Sequence, residues 1–232
     1  MGLYIETKNA YCNCEKRIFP GVGEYDMPEI LPVEVDLEGC TAIGFNYAIG
    51  CKHPEDKVLH FHVDDYQFIR VWNDPNRYLP MLRRFRAVLA PDFSTYEDFP
   101  KAVRIFNAYR KAWCAAYWQD NGVTVIPTLD WDTELEHDYS FDGVPRNALV
   151  SVSTIGGFKS KARKADWLEG FGIAMRELSP SKLLVFGKLW PEIQEVYGGE
   201  IILMENSNLV RKATLSKKPE KEVHENGENS DR

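Results

Sequence analysis

The chain reads as an α/β protein of mainly parallel strands with intervening helices. The expected architecture is a shortened or irregular TIM-like barrel, with an open doubly wound sheet as the alternative. Three observations predict this. Seven short runs rich in Val, Ile, Leu and Phe alternate with longer segments of helical period, the pattern of strand–helix–strand units around a buried parallel sheet. The helical segments carry their own start and stop residues. Several of the apolar runs end in a polar residue, as when a barrel collects side chains from successive strand ends. A doubly wound sheet would concentrate them at one switch point.

The N-terminal stretch, residues 1–39, holds Pro20, Gly21, Gly23, Pro28 and Pro32 and no helical period, so it reads as an irregular arm. Residues 40–210 form the periodic body. The predicted strands cover 41–45, 57–63, 87–91, 123–129, 148–154, 182–187 and 200–204. Asp74-Pro75 places a capping carboxylate ahead of a proline at the first helical position. Pro100 opens the longest helix, with a stripe of Val103, Phe106, Tyr109, Trp113, Ala116 and Tyr117 and a stop at Asn121-Gly122. A third helix runs from about Arg163 to Leu178 and ends before Pro180. Residues 211–232 have almost no apolar content and read as a disordered charged tail.

Composition narrows the function classes. Of 232 residues, 44% are hydrophobic, near the globular average. No run is long and apolar enough to span a bilayer, and the N-terminus lacks the apolar core of a secretory signal. Five cysteines are too few and of odd number for a disulfide framework, which predicts a reducing, cytoplasmic setting. Net charge is −7, with 28 Lys and Arg against 35 Asp and Glu, the wrong balance for broad duplex DNA binding. The clusters Arg83, Arg84, Arg86 and Lys159, Lys161, Arg163, Lys164 read as solvated helix ends.

The strongest local pattern is His60-Phe61-His62-Val63-Asp64. Strand alternation puts His60, His62 and Asp64 on one face. The same rule pairs Ala90 with Asp92, and Thr128 with Asp130. If those faces point inward, two imidazoles and three carboxylates meet at one mouth. Such a set suits a divalent metal, with His60, His62 and Asp64 as candidate ligands, or metal-free acid–base work, since clustered carboxylates push each other's pKa apart. Plainer roles compete: Asp65 as a helix cap and Asp92 as a turn former. Cys12, Cys14, Cys40, Cys51 and His53 lack the spacing of a zinc knuckle. The segment STIGG, 153–157, precedes a helix but lacks a full phosphate-loop signature. Trp131, directly after Asp130, is positioned to stack a base or sugar, or simply to pack at the rim.

The blocks from Asp64 through Trp118, then Pro127 and Trp131, then Phe141, Asp142 and Gly143, then Thr154 and Gly156, together resemble the domain of unknown function 4417 family of bacteria, phages and mobile elements. The resemblance spans roughly His60 to Gly187. It implies an intracellular α/β protein, often phage-borne, and no particular reaction. Two departures matter: family members more often have an aromatic at His62, which weakens a two-histidine metal site, and often a Cys at Gly157.

The functional expectation is an enzyme with a carboxylate-lined pocket at the strand C-terminal ends. Asp64, Asp92, Asp130 and His60 are the candidate catalytic residues. Arg110, Trp131 and Thr154 are candidate substrate contacts, and a divalent metal the candidate cofactor. The expected ligand is a nucleotide or other small phosphorylated molecule, or single-stranded nucleic acid. The rival is a non-catalytic protein that engages a host protein through exposed apolar residues of the arm, Phe19, Val22 and Tyr25.

Overall fold

The computed structural model describes residues 12–131, 137–155 and 161–204. The proposed charged tail and the glycines of STIGG lie outside them. All seven predicted strands form. After a small antiparallel hairpin in the arm, β1 (Gly21–Val22) and β2 (Met27–Pro28), come β3 (Thr41–Gly44), β4 (Lys57–His60) and β5 (Ala87–Leu89). The fourth predicted strand is broken into β6 (Val125–Ile126) and β7 (Thr128–Leu129), followed by β8 (Leu149–Ser153), β9 (Lys182–Phe186) and β10 (Glu200–Met204). Helices lie between them: α1 (Arg70–Asn73), α2 (Pro75–Leu82), α3 (Lys101–Asp120), α4 (His137–Ser140), α5 (Lys161–Leu178) and α6 (Pro191–Val196). Asp74 caps α2 by accepting from the Arg77 N–H, as the Asp-Pro pair predicts.

Two four-stranded parallel ladders run β3-β4-β5-β6 and β7-β8-β9-β10. They meet at Pro127, which has no N–H to donate and separates the half that pairs with β5 from the half that pairs with β8. Its carbonyl still accepts from the Ser151 N–H at 2.8 Å. Strand order therefore follows chain order, with no reversal of the kind that creates a switch point. The sheet also curls. Four strand spacings separate β4 from β9, roughly 19 Å on a flat sheet, yet the His60 and Phe186 rings lie 4.2 Å apart. Among the described residues no ladder joins β3 to β10, so the sheet is an open arc. Val33, Val35 and Leu37 of the arm pack at the enclosed side.

Alternation along the strands sorts the core into three parts. Val58, Ala87, Leu89, Ile126, Leu149, Leu184 and Phe186 fill the inside of the curl. Leu59, Phe61, Val88 and Val125 face outward beneath α1, α2 and α3. Val150, Val152, Leu183 and Val185 face outward beneath α5 and α6. The apolar stripe expected for α3 needs correction. Val103 and Phe106 are exposed, while Asn107 and Lys111 lie on the buried face with Ala108, Ala115 and Trp118. The arm is pinned to the body: Trp113 Nε1 donates to the Arg17 carbonyl, and Asn13 Nδ2 to that of Trp72. Phe19 packs edge-on against Trp113 and Tyr25 against Tyr139; with Val22 they are half-buried, so the exposed apolar patch expected there is not formed.

Candidate functional site

The site assembles at the C-terminal ends of β4, β5 and β7. β4 ends at His60, and the chain turns tightly at once, Val63 N–H donating to the Phe61 carbonyl at 2.7 Å. That turn keeps the His60 and His62 rings stacked, 5.5 Å apart, both against Phe186. It also ends the strand alternation, so Asp64 does not follow His60 and His62 inward and stands exposed. The expected three-carboxylate convergence thus loses one member. Asp65 turns inward instead, accepting from Ser94 Oγ at 2.8 Å and from the Ser94 N–H, which ties the loop after β4 to the loop after β5.

Asp92 reaches the site by breaking the rule used to predict it. Ala90 lies in the helix-facing core, so strict alternation would send Asp92 the same way. A turn at Pro91, with Phe93 N–H donating to the Pro91 carbonyl, brings it back to the histidines. Its Oδ2 then sits 2.8 Å from His62 Nδ1, with side-chain exposures of 29% for Asp92 and 5% for His62. Asp130 pairs with Lys111, whose ammonium is buried beneath α3. Under this layer Thr128 Oγ1 donates to the Ala90 carbonyl at 3.0 Å, and Ser151 Oγ to that of Pro127 at 3.1 Å.

Electrostatics divide these groups by role. Burial, reinforced by the neighbouring His62, pushes His60 down to about 3, so it is neutral at pH 7. Burial opposes ionisation of Asp92, but the His62 hydrogen bond and charge, then Lys111 and His60, hold its carboxyl below the usual range. Burial lowers Lys111 to about 8 against the opposing pull of Asp92. An ionised carboxylate only accepts, so His62 Nδ1 carries the proton shared with Asp92 and Nε2 is the nitrogen left free of that bond. His62 Nε2 and His60 Nδ1 are buried with no hydrogen-bond partner. Such atoms are uncommon in folded proteins, and a catalytic role, a bound water or an ion accounts for them.

The remaining candidates are occupied. Arg110 lies over the Phe93 ring at 4.1 Å and donates to Asn107 Oδ1, which reaches it because Asn107 itself donates to the Ser94 carbonyl. Trp131 Nε1 donates to the Trp167 carbonyl at 3.2 Å, and its ring packs on Trp167 and Phe171 over Gly170, where any Cβ would collide with it. That is rim packing. Thr154 Oγ1 donates to the Lys188 carbonyl and accepts from the Lys188 N–H, locking β8 to the end of β9. His60, His62 and Asp64 do not gather their ligand atoms; among the described residues the group with metal-like spacing is His53, Glu55 and Asp56, all exposed. Cys12, Cys14, Cys40 and Cys51 join no such group there, and all five cysteines are unpaired. Lys111 is the member that sequence reasoning missed. The one signal was a lysine placed four residues after Asn107 and four before Ala115, on a helix side otherwise of small and aromatic residues.

These strand ends belong to an α/β protein built on parallel ladders. The chain is a member of the family described as domain of unknown function (DUF4417), whose model matches residues 19–206. It is 40% identical over 188 residues to the Gene 1 protein of Mycobacterium phage L5, covering 76% of this chain and 80% of that one. The Gene 1 protein of Mycobacterium phage D29 is 35% identical over 184 residues, covering 76% and 68%. No solved structure matches. No helix among the described residues is long and apolar enough to cross a membrane.

Proposed function

We propose that the chain is an enzyme in which Asp92 and His62 act as a carboxylate–imidazole dyad, with His62 Nε2 as the general base. The observation that carries this reading is the 2.8 Å His62–Asp92 bond beside a buried Nε2 that no protein group satisfies. An oriented, neutral imidazole with an ionised partner removes a proton from a bound hydroxyl or water and stabilises the imidazolium that forms. The curled seven-strand arc is read as a shortened, open barrel whose strand ends supply the site, in keeping with the way barrel enzymes draw side chains from several strands. The substrate class is a small phosphorylated molecule, a nucleotide or a short single strand. The overall charge of −7 weighs against duplex DNA, and the setting assigned is the cytoplasm, where the five thiols stay reduced.

The test is a panel of nucleotides and phosphorylated metabolites offered to the purified full-length chain, read by thermal shift and product formation. The expected result is turnover of one class that His62→Ala and Asp92→Asn abolish while circular dichroism is unchanged. A host protein captured in equal amounts by wild type and both variants, with no turnover of any compound, would instead make this a binding protein.

A further inference from the structure

The geometry points to Lys111 as a positioning residue for the Asp92–His62 dyad: its buried ammonium ties α3 to Asp130 and sets a cation behind the carboxylate that orients His62. This rests on the dyad reading above. Burying an ammonium costs several kcal/mol unless it is compensated, and Met would fill the same space between helix and sheet without charge. What the lysine adds is a cation held behind two carboxylates that are themselves partly exposed, at 29% for Asp92 and 21% for Asp130. The groups that act on it are Asp92 from the loop after β5 and Asp130 from the end of β7; His62 and His60, from the end of β4, act in turn on Asp92. On α3 itself, Arg110 is turned away onto Phe93, and Asn107 one turn earlier is uncharged, so no neighbour on the helix duplicates the charge. Without Lys111 the mouth would hold two carboxylates, a neutral His60 and no buried cation. Asp92 would then bind protons more readily.

Carbon-13 NMR of the aspartate carboxyls in the full chain, recorded across pH without substrate, tests this separately from any activity. In Lys111→Met the Asp92 carboxyl midpoint should rise by about one pH unit, a tenfold gain in proton affinity from the loss of one nearby cation. Lys111→Arg should return it to the wild-type position. In Asp130→Asn, a milder change at a partly exposed residue, the midpoint should fall, because the ammonium then bears on the dyad uncompensated. Opposite shifts from the two variants are what a merely space-filling lysine would not produce. A folded Lys111→Met chain with the wild-type midpoint overturns the proposal. Should that variant not fold, an unchanged midpoint in Asp130→Asn overturns it as well. A failed substrate screen with these shifts intact would leave Lys111 assigned and remove only the enzymatic reading.

Discussion

The two halves of the curled sheet end in polar residues of opposite character. After β8 and β9, Thr154 is satisfied by the backbone of Lys188, and Trp131, beyond β7, by the carbonyl of Trp167. Their polar atoms close the structure on itself. After β4 and β5, His62 and Asp92 satisfy each other, Lys111 leans on Asp130 from behind, and two imidazole nitrogens are left over. Both halves have the same strands, the same helical cover and similarly buried strand cores, so position at a strand end does not make a functional residue. What separates them is whether the backbone has already taken up the side chain's hydrogen-bonding capacity.

The hardest blow to this contrast is Phe186→Ala, because Phe186 belongs to the second half but roofs the histidines of the first. Loss of a buried aromatic ring should cost about 3–5 kcal/mol by chemical denaturation. In the same variant the His60 titration should move up towards its ordinary value as water reaches the ring. If stability falls but His60 does not move, the two halves are not coupled through that ring. Gly170→Ala tests the packing side alone. The added methyl meets the Trp131 ring, and the expected cost is about 1–3 kcal/mol, with no change in the His60 titration.

A smaller effect sharpens the first half. His60 binds its proton near pH 3 in the folded chain, against 6.5 for an unperturbed imidazole. Between those values the unfolded chain holds more protons, so stability falls as pH drops from about 6.5 towards 3. Asp92, held low, adds acid sensitivity in the lower part of that window. His60→Leu should flatten the upper part of the stability–pH curve and leave the lower part, as read from urea midpoints across the range. An unchanged slope above pH 5 would mean that His60 is not held neutral by burial. The smallest effect belongs to Asp64→Ala. This exposed carboxylate should change stability by less than about 0.5 kcal/mol and leave turnover as it was, although sequence parity ranks it beside Asp92.

That Asp64 points outward while Asp92 reaches His62 shows where reading a sequence stops. Alternation is reliable only while the chain stays in a strand, and β4 ends at His60 and β5 at Leu89. Beyond those points turns set the direction. The Phe61–Val63 turn sends Asp64 outward and the Pro91 turn brings Asp92 back, and neither is encoded in a period of two. The placement of His60 and His62 together remained legible because His60 ends β4 and only one tight turn follows it. Lys111 was not legible, since a helical stripe is found by its apolar members and a buried charge contradicts that pattern.

The sequence by itself determined the seven strands, the long helices and their caps, and the parallel α/β class, because these follow from local periodicity, capping residues and proline. It also determined which ionisable residues stand near strand ends. Only the tertiary structure decided which of them meet. The curl brings β9 over β4, α3 delivers a cation from behind the sheet, and the loops tied by Asp65 and Ser94 set the approach of His62 to Asp92. Those contacts join residues well separated in the chain, 29 positions for Asp65 and Ser94 and 30 for His62 and Asp92, and a local pattern carries no information about the distance between two such points until the packed core fixes it.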